Sequence, residues 1–349
     1  MNRGCLTLLA AVLAAARPAP CASSVEVAQL QSESLTGTKT GLDPVRSVYV
    51  YLPPGYARSN TRYPVVYFLH SIFWSAKQMF ADGRVQARLD RAMANGVTKE
   101  FILVAADYST PFAGSFYENS PTTGRWLDFT AKELVPFVDQ RFRTIPEREA
   151  RGLAGEFMGG RGAFILAMLY PDLFSVLYAM HPVGTGTGMV PMMAHPDWNK
   201  IIAARSFKDL EGDGFSRVYV AMAQAFLPNP DRPPFFCDFM ADVENGVAKL
   251  NVENARKLRS RFLLDDMLPE YAGNLRKLRA IKFDWARYDD NQDHVYANQA
   301  FTRKLDEFGI KHFAEEYGGG IWWRENWVPD EGRFDADVLP FFGKYLRFD

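Results

Sequence analysis

Short unbroken apolar runs alternate along the chain with stretches whose apolar residues recur every three or four positions. ProValValTyrPheLeu at 64–69 and PheIleLeuValAlaAlaAsp at 101–107 have the length and composition of strands buried on both faces. Val45–Leu52 alternates partly and stops at Pro53-Pro54-Gly55, which reads as a strand and a turn. Residues 84–96 read as a helix. Leu127, Ala131, Leu134 and Val138 place one apolar face on a long helix over 123–143. A strand ends at 153–155, a helix over 159–169 stops near Pro171, and a strand follows at 174–180. The last third predicts a strand at 282–290, a helix at 295–309, a strand at 311–317 and a closing helix at 335–346.

Strands alternating with helices predict an α/β fold, a mostly parallel central sheet with helices on both faces. Residues 183–280 break the alternation with GlyThrGlyThrGly, several prolines and a charged helical stretch at 246–261. They read as a cap-like insertion over the strand C-terminal ends, where such folds bind ligands.

Residues 1–22 read as a signal peptide. Arg3 precedes an apolar run over 6–16, and small residues surround a cleavage point between Ala19 and Ser24. Export to the periplasm or the extracellular space is expected, with 23–349 as a single domain. Cys21 leaves a lipoprotein form open. No other segment reads as transmembrane. The 349 residues carry a formal charge of −1, which gives no field to recruit nucleic acid. Of three cysteines, Cys5 and Cys21 lie in or beside the signal, so Cys237 has no disulfide partner in the mature chain.

The centre of the sequence is LeuAlaGlyGluPheMetGlyGlyArgGly at 153–162. A strand end, a glycine-rich turn and a helix follow one another directly, the context of the nucleophile elbow G-x-S-x-G. The position that should carry serine is Phe157, which has no hydroxyl.

Further segments carry a resemblance: TyrLeuProProGlyTyr at 51–56, ProValValTyrPheLeuHis at 64–70, AsnSerProThrThrGlyArgTrpLeuAspPhe at 119–129, LeuValProPheValAspGlnArgPheArgThr at 134–144, TyrProAspLeuPheSer at 170–175 and GluTyrGlyGlyGly at 316–320. In this order and spacing the chain resembles the esterase family of α/β-hydrolases. That family includes esterase D, feruloyl and acetylxylan esterases, and the antigen 85 acyltransferases. The resemblance implies an α/β-hydrolase fold and a serine–histidine–acid mechanism. It puts Phe157 at the nucleophile and Ile321 at the base, where the family has histidine. Asp293 takes the retained acid position. The oxyanion donors would be backbone N–H groups near Ser71 and Ile72 and that of Met158. Loss of a triad nucleophile lowers turnover on the order of a million-fold.

Other residues offer substitutes. Cys237 lies among phenylalanines and reads as a small buried hydrophobe. Glu156 precedes the elbow apex and points away from it. His294 follows Asp293 directly, and neighbours on an extended loop point apart. His70 reads as ordering the oxyanion segment. His70, Glu156, His181 and Asp293 could approach one another, but no spacing typical of a metal site supports them, so neither a metal nor a cofactor is expected. Trp74, Trp322, Trp323 and Trp327 lie in loops expected to rim the cleft. They suit stacking on sugar or aryl groups, or they fill the space the triad vacated. The expectation is an exported pseudoenzyme binding a carbohydrate or aryl-ester-like ligand, or a protein partner. Ester hydrolysis or acyl transfer through substitute residues is the alternative.

Overall fold

The computed structural model describes residues 22–72, 74–186, 196–320, 327 and 332–349. Eight strands form one sheet in the order β1-β2-β4-β3-β7-β8-β11-β12. They are β1 (Ser24–Gln31), β2 (Val45–Leu52), β3 (Val65–Leu69), β4 (Ile102–Ala106), β7 (Arg151–Glu156), β8 (Val176–Met180), β11 (Ala280–Ala286) and β12 (Phe313–Tyr317). Two short hairpins supply β5 (Asn119–Ser120) with β6 (Gly124–Arg125), and β9 (Ala241–Glu244) with β10 (Val247–Leu250). Only β2 runs against the others in the main sheet. The α/β expectation is met, and β1 is a strand the sequence reading lacked.

Burial explains the unbroken apolar runs. Val65, Tyr67 and Leu69 of β3 enter one core, and Val66 and Phe68 enter the core on the other face. The two-residue period of a strand sends neighbours to opposite faces, so both must be apolar when both faces are covered. The helix Val85–Ala94 and the C-terminal helical segment cover one face. The helix Met158–Leu169 and the 126–141 helix cover the other.

The predicted long helix spans Trp126 to Arg141, and its middle, Phe129–Leu134, is a π-helix. The C-terminal helix has the same form, with Phe334–Val338 wound as a π-helix. In each case a proline follows, Pro136 or Pro340, at the second position of the next α segment. Proline cannot donate to the carbonyl four residues back and crowds it, and a wider turn relieves both. The strand predicted at 282–290 lies at Ala280–Ala286, and its helix starts earlier, at Gln292. The charged stretch at 246–261 divides. Val247–Leu250 pairs in a hairpin and Val252–Phe262 is the helix. Among the described residues, no helix is long and apolar enough to cross a membrane.

Candidate active site

Four strands, β3, β7, β8 and β11, deliver the site at their C-terminal ends. The turn after β7 has Phe157 at its apex with φ 50° and ψ −110°, a conformation L residues rarely hold. Its N–H donates to the Met180 carbonyl at 3.0 Å, and its own carbonyl accepts from Arg161 N–H at 3.0 Å. The glycines are required by contact. A Cβ on Gly155 would lie 2.2 Å from the Gly159 carbonyl oxygen, and one on Gly159 would lie 1.9 Å from that of Leu69. This is a complete nucleophile elbow with a half-buried phenyl ring where a hydroxyl would stand.

Around it, Met158 is buried, its sulfur accepting from the Phe116 N–H. The Ile72 side chain approaches the same position over Gly114. His70 is buried beside Ser71. Its Nε2 accepts from the Tyr108 N–H at 2.9 Å, so the ring proton sits on Nδ1 and is donated to the Ser71 carbonyl at 2.9 Å. Burial pushes the His70 pKa down and keeps the ring neutral. Through these bonds His70 ties the segment after β3 to the segment after β4.

The loop after β11 holds the densest chemistry. Asp289, fully buried, accepts from His181 Nε2 at 2.7 Å and His294 Nδ1 at 2.8 Å on one carboxylate oxygen. Its other oxygen accepts from the Asn291 N–H at 2.8 Å. Burial opposes the charge on Asp289, but the two imidazole N–H bonds outweigh it and hold the carboxyl well below its usual range. His181 follows β8 with φ 45°. Its Nδ1 accepts from the Ala286 N–H at 3.0 Å, which fixes its proton on Nε2. Burial first of all lowers the His181 pKa. The rings form a row, with Phe157 and His181 centroids 5.1 Å apart and His181 and His294 5.7 Å apart.

Sequence reasoning missed this cluster for a definable reason. It took 293–294 as an extended loop, in which neighbours point apart. The structure puts them in the first turn of the helix Gln292–Glu307, where neighbours diverge by about 100°. His294 therefore turns to Asp289. Asp293, the position the resemblance assigns to the acid, is half-buried on the same turn. Its Oδ1 has no hydrogen-bond partner, and burial raises its pKa.

The four groups imagined as a metal set are dispersed. Glu156 is buried and accepts from the Trp327 indole N–H at 3.1 Å, while His70 is held by Ser71 and Tyr108. Among the described residues, the ligand atoms of His181, Asp289 and His294 do lie within 4.8 Å of one another. The wiring argues against a cation there. His181 spends its lone pair on the Ala286 N–H and points a proton at Asp289.

Trp327 is a correction. It is 1 % exposed, stacks on Phe334 at 4.6 Å and meets Phe68 and Trp74 edge-on, so it is core and not rim. Trp74 is half-buried against it. Ile321, Trp322 and Trp323 lie outside the described residues. Cys237 is buried, and burial pushes its thiol pKa up, which suits a packing role.

Arg161, four residues past the elbow apex, was not singled out. Fully buried, it donates to the carbonyls of Phe262 at 2.8 Å, Arg261 at 2.7 Å and Phe116 at 3.2 Å, and lies over the Phe226 ring. A charge between two glycines on an apolar helix was the signal available. It ties the elbow helix to the helices Gly214–Phe226 and Val252–Phe262. A depression of about 440 Å³ lined by Tyr56, Arg58, Asn60 and Arg143 lies at the opposite, N-terminal end of β3.

Residues 40–213 match the family model described as "Putative esterase". A Xylanibacter ruminicola protein named endo-1,4-beta-xylanase/feruloyl esterase is 28% identical over 139 residues, 37% of this chain and 18% of that one. An esterase of Mycobacterium tuberculosis is 24% identical over 301 residues, 84% of this chain and 55% of that one. The chain thus spans about half or less of the length of these curated relatives. Among solved structures, a ferulic acid esterase superposes with a TM-score of 0.63 at 19% identity, covering 93% of this chain and 99% of that one. An S-formylglutathione hydrolase from Agrobacterium tumefaciens gives 0.58 at 14% identity, over 94% and 97%. At these identities the likeness fixes the fold.

Proposed function

We propose that this esterase-like α/β-hydrolase works as an exported pseudoenzyme whose former active-site cleft binds a sugar- or aryl-bearing ligand without hydrolysing it. One observation carries the reading. Phe157 occupies the elbow apex in the strained conformation that normally exposes a nucleophile, and a benzyl group cannot attack an acyl carbon. The relatives' names supply the ligand class, since feruloyl esterases by name act on esters of ferulic acid, whose acyl group bears an aryl ring. Export rests on residues 1–22, and β1 begins at Ser24, directly after the proposed cleavage point.

The test is turnover of p-nitrophenyl acetate together with labelling by a fluorophosphonate. Background hydrolysis and no labelled serine are expected. Turnover abolished by the label would overturn the reading. If the loss is local, Phe157→Ser with Ile321→His restores measurable turnover.

A second reading has one observation in its favour. Asp289 orients His294 through Nδ1, which leaves Nε2 as the acceptor end of the ring, the wiring of a general base. Under that reading the protein hydrolyses esters with a water or another nucleophile at His294. Turnover in the natural protein that disappears in His294→Gln would favour it.

A further inference from the structure

Arg143 is a half-buried cation at the end of the sheet opposite the elbow. It follows the helical segment Val135–Arg141, and its backbone is held on both sides. Its N–H donates to the Tyr56 hydroxyl at 3.0 Å, and its carbonyl accepts from the Tyr63 N–H at 2.8 Å. The guanidinium carbon lies 3.7 Å from the centre of the Tyr56 ring, and Nη2 donates to the Tyr56 carbonyl. The ring face attracts the cation and fixes where it sits. Among the described residues, no carboxylate pairs with this guanidinium. Nε is buried without a partner. Nη1 is not enclosed and makes no bond within the protein, so it is left for an acceptor from outside.

We propose that the depression beside Arg143 binds a small organic oxyanion, a carboxylate or phosphate monoester carried on a hydroxyl-bearing body the size of a monosaccharide. The depression measures about 440 Å³ and is lined by Tyr56, Ala57, Arg58, Ser59, Asn60 and Arg143. That lining holds two cations and no acid. An oxyanion accepts from Arg143 Nη1 and also feels the charge of Arg58, exposed on the turn Tyr56–Arg58. An ammonium ligand is repelled by both. The volume falls within the range of small-molecule sites, about 300–1,000 Å³, and is more than a bare inorganic ion fills. The exposed Asn60 amide offers a donor and an acceptor to a ligand hydroxyl. Ser59 is already spent, its hydroxyl donating to the Gly55 carbonyl at 3.2 Å. The site lies across the sheet from the elbow, so it goes beyond the pseudoenzyme reading and does not rest on it.

The test is calorimetric titration of the full chain with D-glucuronate and D-glucose 6-phosphate, with D-glucose and inorganic phosphate as controls. Saturable binding of at least one anionic sugar is expected, and the tighter of the two identifies the oxyanion. Arg143→Gln should weaken that binding about tenfold or more, the loss of one charged hydrogen bond. Arg58→Gln should weaken it about threefold, the effect of one exposed charge. Raising the ionic strength from about 0.01 M to about 0.15 M shortens the screening length from about 30 Å to about 8 Å and should weaken it as well. Melting temperatures show whether each variant is folded. Should Arg143→Gln melt early, Arg58→Gln decides alone, since Arg58 stands exposed at the rim. No saturable binding of either anionic sugar overturns the proposal. So does glucose or phosphate binding as tightly as the anionic sugars, or affinity unchanged in every folded variant. Ester turnover tests the pseudoenzyme reading separately, and these titrations leave it untouched.

Discussion

The turn after β7 and the loop after β11 meet at His181, and they have kept opposite things. The turn has a strained, glycine-packed backbone and carries an unreactive phenyl ring at its apex. The loop keeps ionisable side chains, but they are wired to one another. Asp289 serves two imidazoles, while Asp293 in the next turn has an oxygen with no partner. The contrast teaches that elbow geometry is a packing property. It is held by the approach of Gly155 to Gly159 and of Gly159 to Leu69, contacts to which a serine hydroxyl adds nothing.

The sharpest way to break that claim is to fill the approach. In Gly159→Ala the new methyl would sit 1.9 Å from the Leu69 carbonyl and 2.9 Å from that of His70, both backbone atoms of a central strand and its exit. Neither can swing aside, so the loss should exceed about 4 kcal/mol, into the range reserved for severe core damage. Gly273→Ala, in the helix Leu268–Leu275 with its nearest atom at 3.8 Å, should instead gain up to about 1 kcal/mol. Urea melts of the pair decide it. Equal midpoints would mean that the elbow is not held by packing.

The second comparison sets Asp289 against Asp293. Asp289→Ala strands two imidazole N–H groups and should destabilise the fold by about 3 kcal/mol. Asp293→Ala removes a carboxylate whose burial already works against it, and should change stability by less than about 1 kcal/mol. If the two substitutions are equally costly, the assignment of the buried network to Asp289 fails.

Much of this was legible before any coordinates. Unbroken apolar runs marked β3 and β4 because both faces of each are covered, and GlyGluPheMetGlyGly marked the elbow because only glycine tolerates the contacts. What stayed hidden depends on a helix boundary and on residues far apart in sequence. Beginning the last long helix at 295 left His294 on an extended loop, pointing away from Asp293; beginning it at Gln292 turns His294 toward Asp289. The bond from Trp327 to Glu156 spans 171 residues, and no local pattern announces it.

A milder effect follows from the two buried neutral histidines. Burial depresses His70 and His181, so in the fold they resist a proton that the unfolded chain accepts near pH 6.5. The unfolded state therefore binds more protons below that value, and stability must fall as the pH drops. Each such histidine contributes a slope of up to about 1.4 kcal/mol per pH unit until its own folded value is reached. Denaturation midpoints measured from pH 7 to 5 should decline, and His181→Gln should remove one of the two contributions. Midpoints that do not move would mean that both rings take up protons in the fold as readily as in the unfolded chain.

The smallest expected effect separates a plug from a vacated pocket at the elbow apex. Phe157 is only half-buried, and its ring leans on His181 at 5.1 Å. Its backbone lies in a region that glycine occupies freely and that costs other residues about 1–3 kcal/mol. Phe157→Gly therefore releases strain while giving up partial burial of the ring, about 1–2 kcal/mol, and adding the entropy of a flexible residue, about 0.5–1 kcal/mol. These terms nearly cancel, so the midpoint should stay within about 1 kcal/mol of the natural protein's. A loss above about 3 kcal/mol, the figure for a fully packed phenylalanine, would show the ring to be a plug that the fold depends on. A near-neutral result leaves the ring as a replaceable occupant of the elbow apex.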